Sequence, residues 1–140
     1  VKTAELTGAL LDCWVARALN PEEKIFHNCD GWTLRWHIKP KPFSTDWAHG
    51  GPIIEREQIH LSPPTDRVHR NGGPNAGWGE SGVWMATTWR KGASGRRPCA
   101  WDEKSPLVAA MRCYVISKFG DEVPDDARAA QAASHDTGGK

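Results

Sequence analysis

Residues 105–120, SPLVAAMRCYVISKFG, constrain the fold more than any other stretch of this chain. Ser105 can accept a hydrogen bond as an N-cap, and Pro106 suits the first helical turn, where its missing N–H costs nothing. Lys118 falls in the last turn, and Gly120 can adopt the left-handed conformation that ends a helix. Between these signals Leu107, Val108, Met111, Val115 and Phe119 form an apolar stripe, with Ala110 and Tyr114 beside it. A helix marked at both ends and this apolar must be buried against something.

A second helix is predicted over Thr3–Leu19, where Leu6, Leu10, Cys13 and Trp14 recur at helical spacing. Thr3 is its candidate cap, Glu5 suits the dipole of the first turn, and Asn20-Pro21 ends it. Between the helices the pattern changes. Ile25–His27 suggests a short strand and Asn28–Gly31 a turn. Trp32–Ile38 alternates strictly, with Trp32, Leu34, Trp36 and Ile38 on one face, as a half-buried strand does. The prolines of Lys39-Pro40-Lys41-Pro42 stop that ladder. Ile53–Leu61 alternates too and is read as extended. Ser62–Gly82, rich in proline and glycine, reads as a long loop, and Val83–Arg90 as a strand. The expected fold is α+β: two helices, at Thr3–Leu19 and Ser105–Phe119, packed on one face of a small, mainly antiparallel sheet. One globular domain spans 1–126. The Ala-, Asp- and Gly-rich tail at 127–140 is expected to be disordered.

Composition narrows the function classes. Eighteen basic and 17 acidic residues leave +1, so the whole chain is not a polycation built to coat nucleic acid, and nothing strong points to a duplex partner. No apolar run approaches the ~18 residues of a membrane span, and the N-terminus lacks a signal-peptide layout, so a cytoplasmic location is expected. The four cysteines are scattered without a C-x-x-C pair and read as reduced thiols. No His/Cys spacing matches a zinc site, so neither metal nor cofactor is expected. Ser44, Ser62 and Ser81 lie in no G-x-S-x-G elbow. The glycines between Gly72 and Gly82 fit no phosphate-loop motif. The eight tryptophans are the compositional oddity, since so many large amphipathic rings serve a core, a binding surface or both.

Two groups of residues are candidates for a site. One is the stretch Ser44–Glu57, STDWAHGGPIIERE. Trp47 either plugs the core or lines a pocket walled by the Gly50-Gly51 backbone, where glycine permits close approach. Glu55 and Glu57 would share a strand face, as a solvated surface or as an acid–base pair with His49 or His60. The other group is basic: Arg67, Arg70, Arg90, Lys91, Arg96 and Arg97, interleaved with Trp78, Trp84 and Trp89. Guanidinium forks and indole faces together suit phosphates and nucleobases.

STDWAHGGPIIERE and SPLVAAMRCYVISKFGDEVP, with ELTGALLDCWVARA before them, resemble the NinX-like family of phage proteins. The positions that match its central block are Ser44, Asp46, Trp47, Gly50, Gly51, Pro52, Ile54, Glu55 and Glu57. The resemblance implies a protein encoded in an accessory region of a temperate phage or prophage. No catalytic residues are assigned to that family, so none carries over. The residues expected to bind a small ligand or nucleotide are Asp46, Trp47, Gly50, Gly51, Glu55, Arg90 and Arg96. The alternatives are an adaptor that acts on a host protein through exposed tryptophans and a small enzyme using Glu55 or Glu57.

Overall fold

A computed structural model describes residues 2–29, 31–74, 76–89, 91–92 and 95–123. The expected disordered tail at 127–140 and Arg90 lie outside the described residues. The fold is α+β. Among the described residues three helices, α1 (Gly8–Leu19), α2 (Trp47–Glu57) and α3 (Pro106–Phe119), accompany seven short strands. The strands are β1 (Ile25–Asn28), β2 (Gly31–Leu34), β3 (His60–Ser62), β4 (Arg67–Arg70), β5 (Gly77–Glu80), β6 (Trp84–Thr87) and β7 (Cys99–Asp102). All the pairings are antiparallel, but they form separate sheets ordered β1-β2, β3-β6-β7 and β4-β5.

Helix α3 is the axis of the molecule. The Ser105 hydroxyl accepts from Val108 N at 3.2 Å, Pro106 opens the helix, and Gly120 ends it at φ 88°. Every residue from Ala109 to Ile116 is buried, because α3 touches α1, α2, β6 and β7 on different sides. Met111, Val115 and Leu107 of α3 and Trp14, Leu11 and Val15 of α1 belong to one buried core, with Leu107 facing Gly50 of α2. Residue 112 also lies inside, where an arginine is tolerated only with partners. Arg112 Nε donates to the Leu6 carbonyl at 2.7 Å, and its Nη1 to the Trp101 carbonyl at 2.7 Å and to Asp102 Oδ1 at 3.2 Å.

The structure departs from the sequence reading in five places. Thr3 caps no helix. Its hydroxyl donates to the Gly120 carbonyl at 2.9 Å, tying a short 3-10 turn (Thr3–Glu5) to the end of α3, and α1 begins only at Gly8. Strand β2 stops at Leu34, since Trp36 takes the left-handed conformation at φ 67° in the tight turn that follows.

The stretch read as extended from Ile53 is mostly the helix α2. Asp46 Oδ1 accepts from Ala48 N at 2.9 Å, while its carbonyl accepts from His49 N and Gly50 N. Gly50, Ile53, Ile54 and Glu57 turn inward at helical spacing. The Ser62–Gly82 loop contains the β4-β5 ribbon, whose register (Arg67↔Glu80) continues that of β3-β6 (Ser62↔Met85). Finally, β7 completes the central sheet at Cys99–Asp102, a stretch for which the sequence reading predicted no element.

Candidate functional site

The site is built by the β6-β7 connection. In the ladder Thr87 pairs with Cys99 and Met85 with Trp101. Continuing that antiparallel register two residues outward sets Trp89 opposite Arg97, and their side chains do meet: Arg97 Cζ stands 5.1 Å from the centre of the Trp89 ring. Side chains alternate across a sheet, so the pairs Trp89/Arg97, Thr87/Cys99 and Met85/Trp101 share one face. His60 and Ser62, paired with Thr87 and Met85, belong to it as well. The opposite face carries Ala86 and Ala100, fully buried against α3. The outer face stays open, with His60, Trp89 and Trp101 exposed and Met85, Thr87 and Cys99 half-buried.

His60, Thr87, Thr88, Trp89, Arg97, Pro98 and Cys99 enclose a cleft of about 330 Å³ at the loop end of that face. The loop is held there by packing. Gly92 N donates to the Arg96 carbonyl at 2.8 Å, closing the turn. A β-carbon on Gly92 would lie 3.0 Å from Ser117 Cα and 3.2 Å from Pro98 Cγ, so glycine lets the loop lie flush on α3. Burial pushes the Cys99 thiol pKa up, so this cysteine is a poor nucleophile in its resting state.

Thr88 also lines a smaller cleft of about 100 Å³ with Glu57, Lys91, Ser117 and Lys118. Its charges answer one another. Glu57 is 3.1 Å from Arg56 Nε and 3.7 Å from Lys118 Nζ, and these two cations lie 6.0 and 5.7 Å from the centre of the Tyr114 ring. Both cations sit in the last turns of their helices, where they oppose the negative end of the dipole. This cluster therefore clamps α2 to α3, and Lys91 is the cation of the cleft with no ion pair among the described residues. A third cleft, lined by Trp101, Asp102, Glu103, Lys104 and Arg112, surrounds the Arg112–Asp102 pair.

The residues singled out in the sequence divide between two regions. Asp46 caps α2, and Trp47 and Glu55 are exposed on it. Gly50 is buried, and a β-carbon there would lie 2.4 Å from the Phe43 carbonyl oxygen. That is the close approach expected of a glycine, made to the protein itself. Gly51 has open space above it. Arg96 is exposed on the returning limb of the β6-β7 loop, beside Arg97. The three clefts are lined by other residues than Asp46, Trp47 or Gly51.

Glu55 and Glu57 do not share a face, because two residues apart on a helix point in different directions. His60, Thr87, Arg97 and Cys99 were not legible as a group. Their signal was the cross-strand register, which needs β7 to be recognised first. Among the described residues no three His, Cys, Asp or Glu side chains gather as metal ligands, and no helix is long and apolar enough to cross a membrane.

Residues 2–118 match the family model of bacteriophage P22 NinX. The chain belongs to the NinX family. The matched range takes in α1, α2 and α3 as far as Lys118, the residues of the cleft and residues 62–102, where the sequence blocks alone showed no shared motif. No curated protein matches the chain. NinX membership places the protein among phage proteins and leaves its chemistry to be argued from the cleft.

Proposed function

We propose that this NinX-family protein is a phage accessory protein that works as a non-enzymatic binder of a small ligand in the host cytoplasm. The ligand joins a planar ring to an anionic group, as a nucleotide does. One observation carries this reading: the Trp89–Arg97 pair at 5.1 Å stands at the edge of an open cleft. An indole face accepts a planar ring, and guanidinium groups accept phosphate. Arg96 and Lys91 add further positive charge on the same loop. The nearby acid Glu57 is engaged by two cations and sits in the other cleft. Burial raises the pKa of the Cys99 thiol in the cleft wall and makes it a poor nucleophile, which favours binding over catalysis.

Thermal-shift measurements with nucleoside mono- and triphosphates and cyclic nucleotides test the proposal. A ligand that binds only the folded state raises the melting temperature, by the equivalent of about 2.7 kcal/mol at a hundred times its Kd. The shift should disappear in Trp89→Ala and Arg97→Ala. If no such compound moves the melting temperature of a well-folded sample, the cleft is not a nucleotide site.

A second reading, an adaptor for a host protein, is favoured by α2. Trp47, Gly51 and Glu55 recur every fourth residue along one outward face. Gly51 leaves that face low beside a half-exposed indole. Interfaces favour such Trp anchors. Capture of one host protein that Trp47→Ala abolishes and Trp89→Ala spares would establish this reading over the first.

A further inference from the structure

We infer that the open face of the β3-β6-β7 sheet binds a single-stranded polynucleotide, with the Trp89–Arg97 cleft as one base subsite. The inference rests on that cleft accepting a nucleotide and extends it to a polymer.

Three observations support it. First, the face carries two exposed indoles, Trp89 and Trp101, at 74% and 52% exposure. Their rows are separated by the Thr87/Cys99 row of the ladder. Four residues along a strand cover about 13 Å, which is roughly four nucleotides at the 3.4 Å spacing of a stacked strand. A mononucleotide fills one end of such a surface and a polymer can cover both. Second, His60, Met85, Thr87 and Cys99 between the indoles bring no negative charge. The one acid of β7, Asp102, alternates to the other side and is paired with Arg112 at 3.2 Å, and the exposed Glu103 beyond the strand end lines the cleft beside Trp101 together with Lys104.

Third, charge is distributed unevenly along the chain. From Arg67 to Trp101 the described residues include Arg67, Arg70, Lys91, Arg96 and Arg97 against the single acid Glu80, whereas the whole chain carries only +1. Such asymmetry is a footprint of a polyanionic partner. Exposed aromatics on a sheet, rimmed by cations, are how single strands are held without sequence preference: bases stack on the rings and phosphates follow the charges. A closed duplex hides the base faces that Trp89 and Trp101 would use.

The test is fluorescence anisotropy with labelled dT12 and rU12, at 50 mM salt and then at rising salt. Mononucleotide binding is measured in parallel by thermal shift. Both oligomers are expected to bind at least tenfold more tightly than the mononucleotide. The log–log salt slope should be about −2 for three phosphates held by Lys91, Arg96 and Arg97.

Trp101→Ala should weaken the oligomers roughly five- to a hundredfold and leave the mononucleotide shift unchanged. Trp36→Ala, a still more exposed indole in the turn after β2, should change neither. Arg96→Glu, an exposed substitution, should weaken the oligomers without touching an indole. The ratio of dT12 to rU12 affinity then identifies the natural strand as DNA or RNA.

If the oligomers bind no more tightly than the mononucleotide, the inference falls and the cleft reading stands. If neither binds, both fall. Oligomer binding that is indifferent to Trp101→Ala and is matched by an aromatic-free polyanion such as heparin also overturns the inference.

Discussion

Arg112 and Asp102 meet at 3.2 Å between the middle of α3 and the end of β7, and they connect four parts of the chain. The same guanidinium bonds the Leu6 and Trp101 carbonyls, and the other carboxylate oxygen accepts from Lys104 N and Ser105 N at the entrance to α3. Arg112 is almost wholly buried. Removing Arg112 takes the ion partner from the partly buried Asp102 and leaves the Leu6 and Trp101 carbonyls without their donor. Arg112→Ala should therefore cost about 3–5 kcal/mol in urea unfolding. A loss below about 1 kcal/mol, the scale of an exposed ion pair, would mean that water replaces these bonds and that the network is not structural.

Gly50 and Gly51 are neighbours in α2 with opposite expectations. A β-carbon at residue 50 would stand 2.4 Å from the Phe43 carbonyl and 2.6 Å from Leu107 Cδ1, and neither the backbone nor the packed leucine can yield freely. Gly50→Ala should destabilise the protein by about 1–3 kcal/mol, as overpacking does. At residue 51 nothing lies within 4 Å. Alanine there should be neutral or stabilise by about 0.5–1 kcal/mol through its helix propensity. In thermal melts Gly50→Ala should lower the melting temperature, while Gly51→Ala should leave it unchanged or raise it. Equal losses would contradict the packing of α2 described here.

The same helix shows where the sequence could and could not be read. α3 was legible because caps, proline and glycine fall at both ends of a continuous apolar stripe. α2 was not. Pro52 and two glycines contradict helix propensity, and Ile53 and Ile54 are its only branched aliphatic residues, so a two-residue alternation fits Ile53–Leu61 equally well. What decides the matter is Asp46, whose cap bond to Ala48 satisfies the first turn, and Gly50, whose bareness admits Leu107.

Trp89 and Arg97 were legible as types and not as a pair. Their meeting depends on β7, whose four residues carry no alternation strong enough to announce a strand. The β4-β5 ribbon was hidden in the same way by Gly72, Gly73, Gly77, Gly79 and Gly82. Their backbone freedom reads as a loop until the register with Arg67–Arg70 is seen.

Asp12 gives the stability a pH dependence of definite sign. Its carboxylate is buried in α1 and accepts from Ser44 N at 2.8 Å. Burial raises its pKa above the ordinary 3.8, and the hydrogen bonding from Ser44 opposes that rise without cancelling it. The folded state therefore holds a proton that the unfolded chain releases. Through this group, stability falls as pH rises from about the ordinary value through the raised one, and is level above it. Asparagine keeps an acceptor for Ser44 and has no proton to lose. Asp12→Asn should thus gain on the parent as pH climbs through that window, seen as converging or crossing melting temperatures. Parallel profiles of the two proteins would show that Asp12 titrates no differently on folding.

The cysteines offer a probe of the cleft that is independent of any ligand assay. Cys29 is exposed, Cys13 and Cys113 are buried, and Cys99 is half-buried in the cleft wall. Thiolates react and thiols do not. Burial pushes Cys113 up to about 12 and Cys99 upward as well. Titration of the folded protein with an aromatic disulfide reagent at pH 8 should show one fast thiol, lost in Cys29→Ser. A slow second thiol, lost in Cys99→Ser, should follow, and the remaining two should react only on unfolding. In the Cys29→Ser background the rate at Cys99 then reports what occupies the cleft. A bound nucleotide or oligonucleotide should slow it in proportion to occupancy, while a ligand bound at α2 through Trp47 should leave it unchanged. A rate at Cys99 that no saturating ligand alters would place binding elsewhere on the molecule.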